Sequence, residues 1–89
     1  MAEVIAAGNT SAFSADFTLT DGQSTTIAIE IGQMGYSNQR VEVQIKLDAV
    51  YRVIGEVNNN HNGVRVLQAP GTYRLNRPAQ AQAFAVHRT

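Results

Sequence analysis

Residues 40–57 read Arg-Val-Glu-Val-Gln-Ile-Lys-Leu-Asp-Ala-Val-Tyr-Arg-Val-Ile-Gly-Glu-Val, and this stretch decides the fold class. Its odd positions (Val41, Val43, Ile45, Leu47, Ala49, Tyr51, Val53, Gly55 and Val57) are small or apolar, while Glu42, Gln44, Lys46, Asp48, Arg52 and Glu56 occupy even ones. A period of two sends one row of side chains into a core and the other into water, the pattern of a half-buried antiparallel strand. The run is too long for one ordinary strand, so it divides near Asp48 to Val50 into Val41 to Leu47 and Tyr51 to Val57. A three-residue connection would keep the odd face buried on both strands. Asp48-Ala49-Val50 supplies no Gly or Asn for a positive φ, so a bend carrying one long strand onward stays open.

The same alternation extends outward from this pair. Phe13 to Leu19 places Phe13, Ala15, Phe17 and Leu19 on one face, and Asp21-Gly22 then signals a turn. Thr25 to Ile31 follows with Ile27, Ile29 and Ile31 in phase. Residues 1–12 are small and polar apart from Val4 and Ile5, which suits an N-terminal arm or an edge strand. Gly32 to Asn38 is a loop carrying Tyr36, a candidate contact residue or a ring folded over the end of the domain. Downstream, Asn58 to Gly63 reads as a polar hairpin loop before a short strand from Val64 to Gln68. Ala69-Pro70-Gly71 predicts a type II turn, since Pro presets φ and Gly accepts the positive φ that follows. Thr72 to Asn76 puts Tyr73 and Leu75 inward, Pro78 ends that strand, and Ala83 to His87 adds a last one with Phe84 and Val86 inward. A short helical turn within Ala79 to Val86 is the one helical element that the Ala and Gln content allows. The expectation is an all-β chain, a single compact antiparallel β-sandwich of about seven strands spanning residues 13–89.

Composition bounds the function. A chain of 89 residues forms one modest core, and association with other copies or a larger assembly would supplement it. With no Cys there is neither a disulfide framework nor a thiolate nucleophile or metal ligand. Formal charge is zero, yet residues 1–39 hold four acidic side chains and no Lys or Arg, while residues 40–89 hold all seven Lys and Arg against three acids. Within one fold this asymmetry cancels, or it makes a bipolar surface that docks to identical copies or an oppositely charged partner. Neither half is basic enough, nor striped with aromatics, for nucleic-acid binding. The first residues lack the basic and long apolar segments of a signal peptide, and no apolar run reaches membrane-spanning length, so a cytoplasmically made protein is expected.

Catalytic constellations are weak. Ser11, Ser14, Ser24 and Ser37 lie in turn-like contexts without a nucleophile elbow, and His61 and His87 fall in a loop and near the C-terminus. Asp16, Glu30, Glu42 and Glu56 occupy the water-facing phase of their strands, where surface charge is the ordinary role. His61 among neutral amides has neither the carboxylates calcium takes nor the second imidazole or thiolate zinc takes. No enzyme, cofactor or metal is expected. Sugar binding by an aromatic platform is poorly served by a chain without Trp whose Tyr51 and Tyr73 fall in the core phase.

Leu19 to Ile27 resembles the first two strands of immunoglobulin-like sandwiches. The C-terminal half resembles small virion structural proteins of tailed bacteriophages, in Val41 to Asp48, Tyr51 to Val57, the polar loop, Ala69-Pro70-Gly71-Thr72-Tyr73-Arg74-Leu75, Arg77-Pro78 and Phe84 to Arg88. It departs in having Ala49 where Gly would follow Asp48. That resemblance implies a non-enzymatic particle component made in the host cytoplasm and carried in the virion. It would be a head decoration protein that binds the major capsid protein in many copies, itself a homo-oligomer, with no nucleic acid and no membrane as partner. The alternatives are a tail, baseplate or fibre component, or a carbohydrate- or protein-binding module. On this reading Tyr36, Arg52, Arg65, Arg74 and Arg77 are the candidate partner-binding residues, the arginines as surface side chains for docking or subunit contacts.

Overall fold

The computed structural model describes residues 2–8, 10–29, 40–58, 63–79 and 84–89. Strands occupy Ala2–Gly8 (β1), Ala12–Phe13 (β2), Phe17–Leu19 (β3), Thr25–Ile29 (β4), Arg40–Leu47 (β5), Val50–Asn58 (β6), Val64–Leu67 (β7), Gly71–Arg77 (β8) and Phe84–Arg88 (β9). They form two antiparallel sheets. One has the order β1-β9-β4-β7; the other has the order β2-β8-β5-β6, with β3 also paired to β8. The all-β sandwich is as the alternation predicts, with about nine strands where seven are expected.

The core lies between the sheets. Phe17, Leu19, Val41, Val43, Val57, Tyr73 and Leu75 come from the five-stranded sheet; Ile5, Ile27, Ile29, Leu67, Phe84 and Val86 come from the four-stranded one. Each large apolar side chain so buried contributes about 1.5–3 kcal/mol relative to exposure. Tyr73 stacks on Phe17 with centroids 5.8 Å apart, and its hydroxyl donates to the Ala69 carbonyl at 2.6 Å, so its polar end is satisfied. Residues 1–12 are not a loose arm where described: β1 is the edge strand beside β9, and Ile5 belongs to the core.

Four expectations are corrected. The first concerns residues 13–19, which do not run as one strand. Buried Ser14 interrupts the ladder: its backbone N–H donates to the Leu75 carbonyl, while the Leu75 N–H donates to the Ser14 hydroxyl oxygen, each at 2.9 Å. A side-chain oxygen takes the place of a backbone carbonyl, the phase resets, and Phe13 lies 55 % exposed while Phe17 is buried.

The second is the β5–β6 connection. It is a two-residue turn, Asp48 and Ala49, both with positive φ (50° and 67°), and Leu47 pairs with Val50. Positive φ at both central residues is the type I′ geometry, whose twist matches that of the flanking strands. An even-length turn moves Tyr51 and Val53 to the outer face opposite Lys46 and Gln44, away from the core expected for the odd positions. A bulge at Ile54 then restores the odd phase, so that Gly55 and Val57 face Val43 and Val41.

The third and fourth concern linkers between sheets. Val57 and Val64 do not flank a hairpin within one sheet, because β6 lies in the five-stranded sheet and β7 in the four-stranded one. The chain therefore crosses the sandwich edge, and Gly63 (φ 66°) donates its N–H to the Asn58 carbonyl at 2.9 Å. At the next crossing Gly71 has φ 157°, well away from the value near 80° of a type II turn. The expected loop at Gly32 to Asn38, the tip of the polar loop with His61, and the end of the Thr25 to Ile31 strand lie outside the described residues, as do residues 80–83 of the allowed helical turn.

Candidate docking surface

The outer face of the five-stranded sheet gathers the side chains that the phase shift moves. Gln44 pairs with Arg74 on β8 and with Val53 on β6, and Lys46 pairs with Tyr51. The Arg74 guanidinium lies between two rings, 3.6 Å from the Tyr51 centroid and 4.1 Å from that of Phe13. Its Nε donates to Gln44 Oε1 at 2.7 Å, and Gln44 is itself buried beneath this cluster. Gln44 Nε2 in turn donates to Glu42 Oε1 at 3.5 Å, which accepts from Asn76 Nδ2 at 2.8 Å. The phenol of Tyr51 donates to Asp16, with oxygen separations of 2.6 and 2.8 Å, so the side chain reaches from β6 across the sheet to the link between β2 and β3. Lys46 Nζ stands 5.8 Å from the same ring.

The electrostatics of this belt are uneven. The hydrogen bond to Asp16 holds the Tyr51 phenol above its ordinary range near 10; desolvation and the Asp16 charge act in the same direction, and the Arg74 charge opposes them. Glu42 and Glu56 stand directly opposite one another, a repulsive pair that Asn76 relieves at Glu42 and that Arg40 (3.6 Å) and Asn58 (2.8 Å) relieve at Glu56.

Around the belt the molecule exposes apolar surface. Val53 is 56 % exposed and Ile54 46 %, and Leu47 and Val50 at the end of the same hairpin are about half exposed. By register Leu47 and Val50 continue the core-facing rows of β5 and β6 beyond buried Val43 and half-buried Ile45, so the hairpin end overhangs the core. Val64 and Val66 on β7 form a second exposed pair.

The sequence-derived residues separate into distinct roles. Arg74 lies in the belt. Arg52 is exposed on the overhang, paired with Ile45. Arg65 closes the sandwich edge between β7 and β6. Its guanidinium lies over Gly55, where an added Cβ would overlap it, and its Nη1 stands 3.5 Å from the Glu56 carbonyl. Tyr36 lies outside the described residues.

Arg77 is a correction: it is 3 % exposed and not a surface residue. Its Nε and Nη2 donate to the Thr10 carbonyl (3.1 and 2.9 Å), and its Nη1 donates to those of Ala6 (2.6 Å) and Phe84 (2.9 Å). Buried arginine is tolerated here because three backbone carbonyls from the N-terminal segment and β9 take up its donors. The alternation carries the signal for this, since Arg77 continues the inward row of Tyr73 and Leu75.

Phe13 and Tyr51 are belt residues that the odd-even reading assigned to the core, and Asp16 is one that it left as plain surface charge. Among the described residues no group of three or more His, Asp or Glu is placed to hold a metal ion, and there is no helix long and apolar enough to cross a membrane. Compared with known proteins, the chain matches no family model, no curated protein and no solved structure.

Proposed function

We propose that the chain is a non-enzymatic structural protein of a tailed-bacteriophage virion, a head decoration protein that binds the outside of the capsid lattice and stabilises it. The observation that carries this reading is the half-exposed apolar set on one hairpin, Leu47, Val50, Val53 and Ile54, with exposed Phe13 on the outer face of the same sheet. Apolar side chains gathered on one element cost solubility unless a partner covers them, and such patches mark protein contacts. Interface centres are enriched in Tyr, Phe and Arg, the residue types of the belt. The resemblance of residues 41–88 to virion proteins supplies the address.

A decoration protein needs little chemistry. It binds the assembled lattice in preference to free subunits, and at a free concentration about 100-fold over Kd such preference stabilises a site by about 2.7 kcal/mol. Repeated over many symmetric positions, this raises the resistance of the shell to heat and pressure. The partners are the major capsid protein and other copies of this chain arranged in a closed ring. A carbohydrate-binding module is favoured by two aromatic rings on one sheet face, but both rings lie against Arg74 and Tyr51 is also tied to Asp16, an arrangement better suited to a charged contact than to a sugar platform.

The test is to add the purified chain to capsid shells lacking it and follow shell disruption on heating. Saturable binding and a raised disruption temperature are expected. No association with shells, with the chain folded, would sink the reading.

A further inference from the structure

We propose that Arg74 is the anchor of the docking face and receives a carboxylate from an acidic partner protein. This rests on the reading of the chain as a docking protein and names the chemistry of what it docks to. The guanidinium stands against the rings of both Phe13 and Tyr51, and its Nε is fixed by Gln44. Neither Nη atom has a hydrogen bond or ion pair among the described residues. A planar fork of donors fixed in advance matches the two oxygens of a carboxylate, and little side-chain freedom remains to be lost on binding.

The surroundings favour a protein carboxylate. Val53, one strand beyond Gln44 from Arg74, and exposed Phe13 flank the guanidinium with apolar surface, which a partner seated there would close against water, the arrangement in which interfacial arginines contribute most. Lys46 beside the belt adds a second positive charge, so an acidic surface is the complementary one. Asp16, Glu42 and Glu56 are the opposing charges on this face. Each is engaged elsewhere, Asp16 by the Tyr51 hydroxyl, Glu42 by Asn76 and Gln44, and Glu56 by Arg40 and Asn58, and none forms an ion pair with Arg74, so they temper the site without filling it.

The test uses the isotopically labelled chain titrated with an end-blocked tetraglutamate peptide and, separately, with inorganic phosphate, followed by NMR. Saturable shifts are expected at the Arg74 Nε–H and at the amides of Phe13, Gln44 and Tyr51. Arg74→Lys keeps the charge and loses the fork, and should weaken the peptide at least tenfold. Phe13→Ala, at an exposed position, should weaken it several-fold in a folded protein, and Asp16→Asn should tighten it.

Equal binding by Arg74→Lys, shifts spread evenly over Arg40, Arg65 and Arg88, or phosphate bound more tightly than the peptide would each overturn the proposal. Shell binding separates the two readings. Shells that take up Arg74→Lys as well as the wild type overturn the carboxylate site and leave decoration standing. A chain that binds tetraglutamate through Arg74 but no shell does the reverse.

Discussion

Single residues in this chain act through what the strand phase makes them face. Arg77 follows Tyr73 and Leu75 inward and satisfies carbonyls of Ala6, Thr10 and Phe84, so it fastens the N-terminal segment and β9 to β8. Arg77→Ala would leave the buried Phe84 carbonyl without this donor, release the Ala6 and Thr10 carbonyls and empty the space of a buried side chain, and is expected to cost about 2–4 kcal/mol, lowering the thermal midpoint by roughly 10–25 °C. A calorimetric scan checks this, and a change below about 1 kcal/mol would show that the buried cation is dispensable. Tyr51 makes a prediction in pH. A phenol whose folded pKa is raised contributes stability that is fully present below its ordinary value near 10 and is lost as pH rises through the folded value. The stability advantage of the wild type over Tyr51→Phe should therefore shrink above about pH 10. In Asp16→Asn the phenol should titrate lower than in the wild type, as read by absorbance of the tyrosinate. Arg77's burial was legible from phase alone, but residue type argued for the surface, and type was the weaker guide. The Arg74 sandwich was not legible, because it joins β2, β6 and β8 across the sheet and no local pattern encodes which distant strands are neighbours.

At the scale of elements, one turn decides what the β5–β6 hairpin presents. Two residues at Asp48-Ala49 and a bulge at Ile54 cancel one another at the base of the hairpin but not between them, and that interval is where Tyr51 and Val53 turn outward. The odd-even pattern could not show this, since an odd-length turn without a bulge buries the same residues at the base. Asp accepts left-handed backbone through its short polar side chain, whereas Ala at φ 67° carries the steric cost that favours glycine. Ala49→Gly is expected to stabilise the fold by about 0.5–1 kcal/mol, after the added flexibility of glycine in the unfolded chain is allowed for. A urea midpoint that falls would contradict the type I′ assignment. Ser14 works in the same way on the other edge, where one side-chain oxygen in the ladder separates exposed Phe13 from buried Phe17. Both phase changes deliver aromatics to the same outer face. Each depends on a local exception to alternation, which is why the strands were legible and the site was not.

For the whole molecule, the alternation was sufficient for the sandwich because thirteen core residues from both sheets repeat one simple rule. Leu75, fully buried at the centre of β8, should cost about 3–5 kcal/mol on replacement by Ala, enough to unfold much of a domain this small. The opposite charges of the two halves do not simply cancel strand by strand: Arg40 pairs with Glu56 within the C-terminal half, while Asp16 meets the Tyr51 phenol. What remains is a sandwich whose five-stranded sheet carries exposed apolar side chains and the Arg74 guanidinium, the features on which the docking proposal rests. The central claim is that it docks as a repeated component of a virus head. Its most direct test is the copy number of the chain in purified virus particles from its source, by quantitative mass spectrometry against the major capsid protein. The account predicts a ratio near unity or a simple fraction of it. A handful of copies per particle, or none, would contradict it.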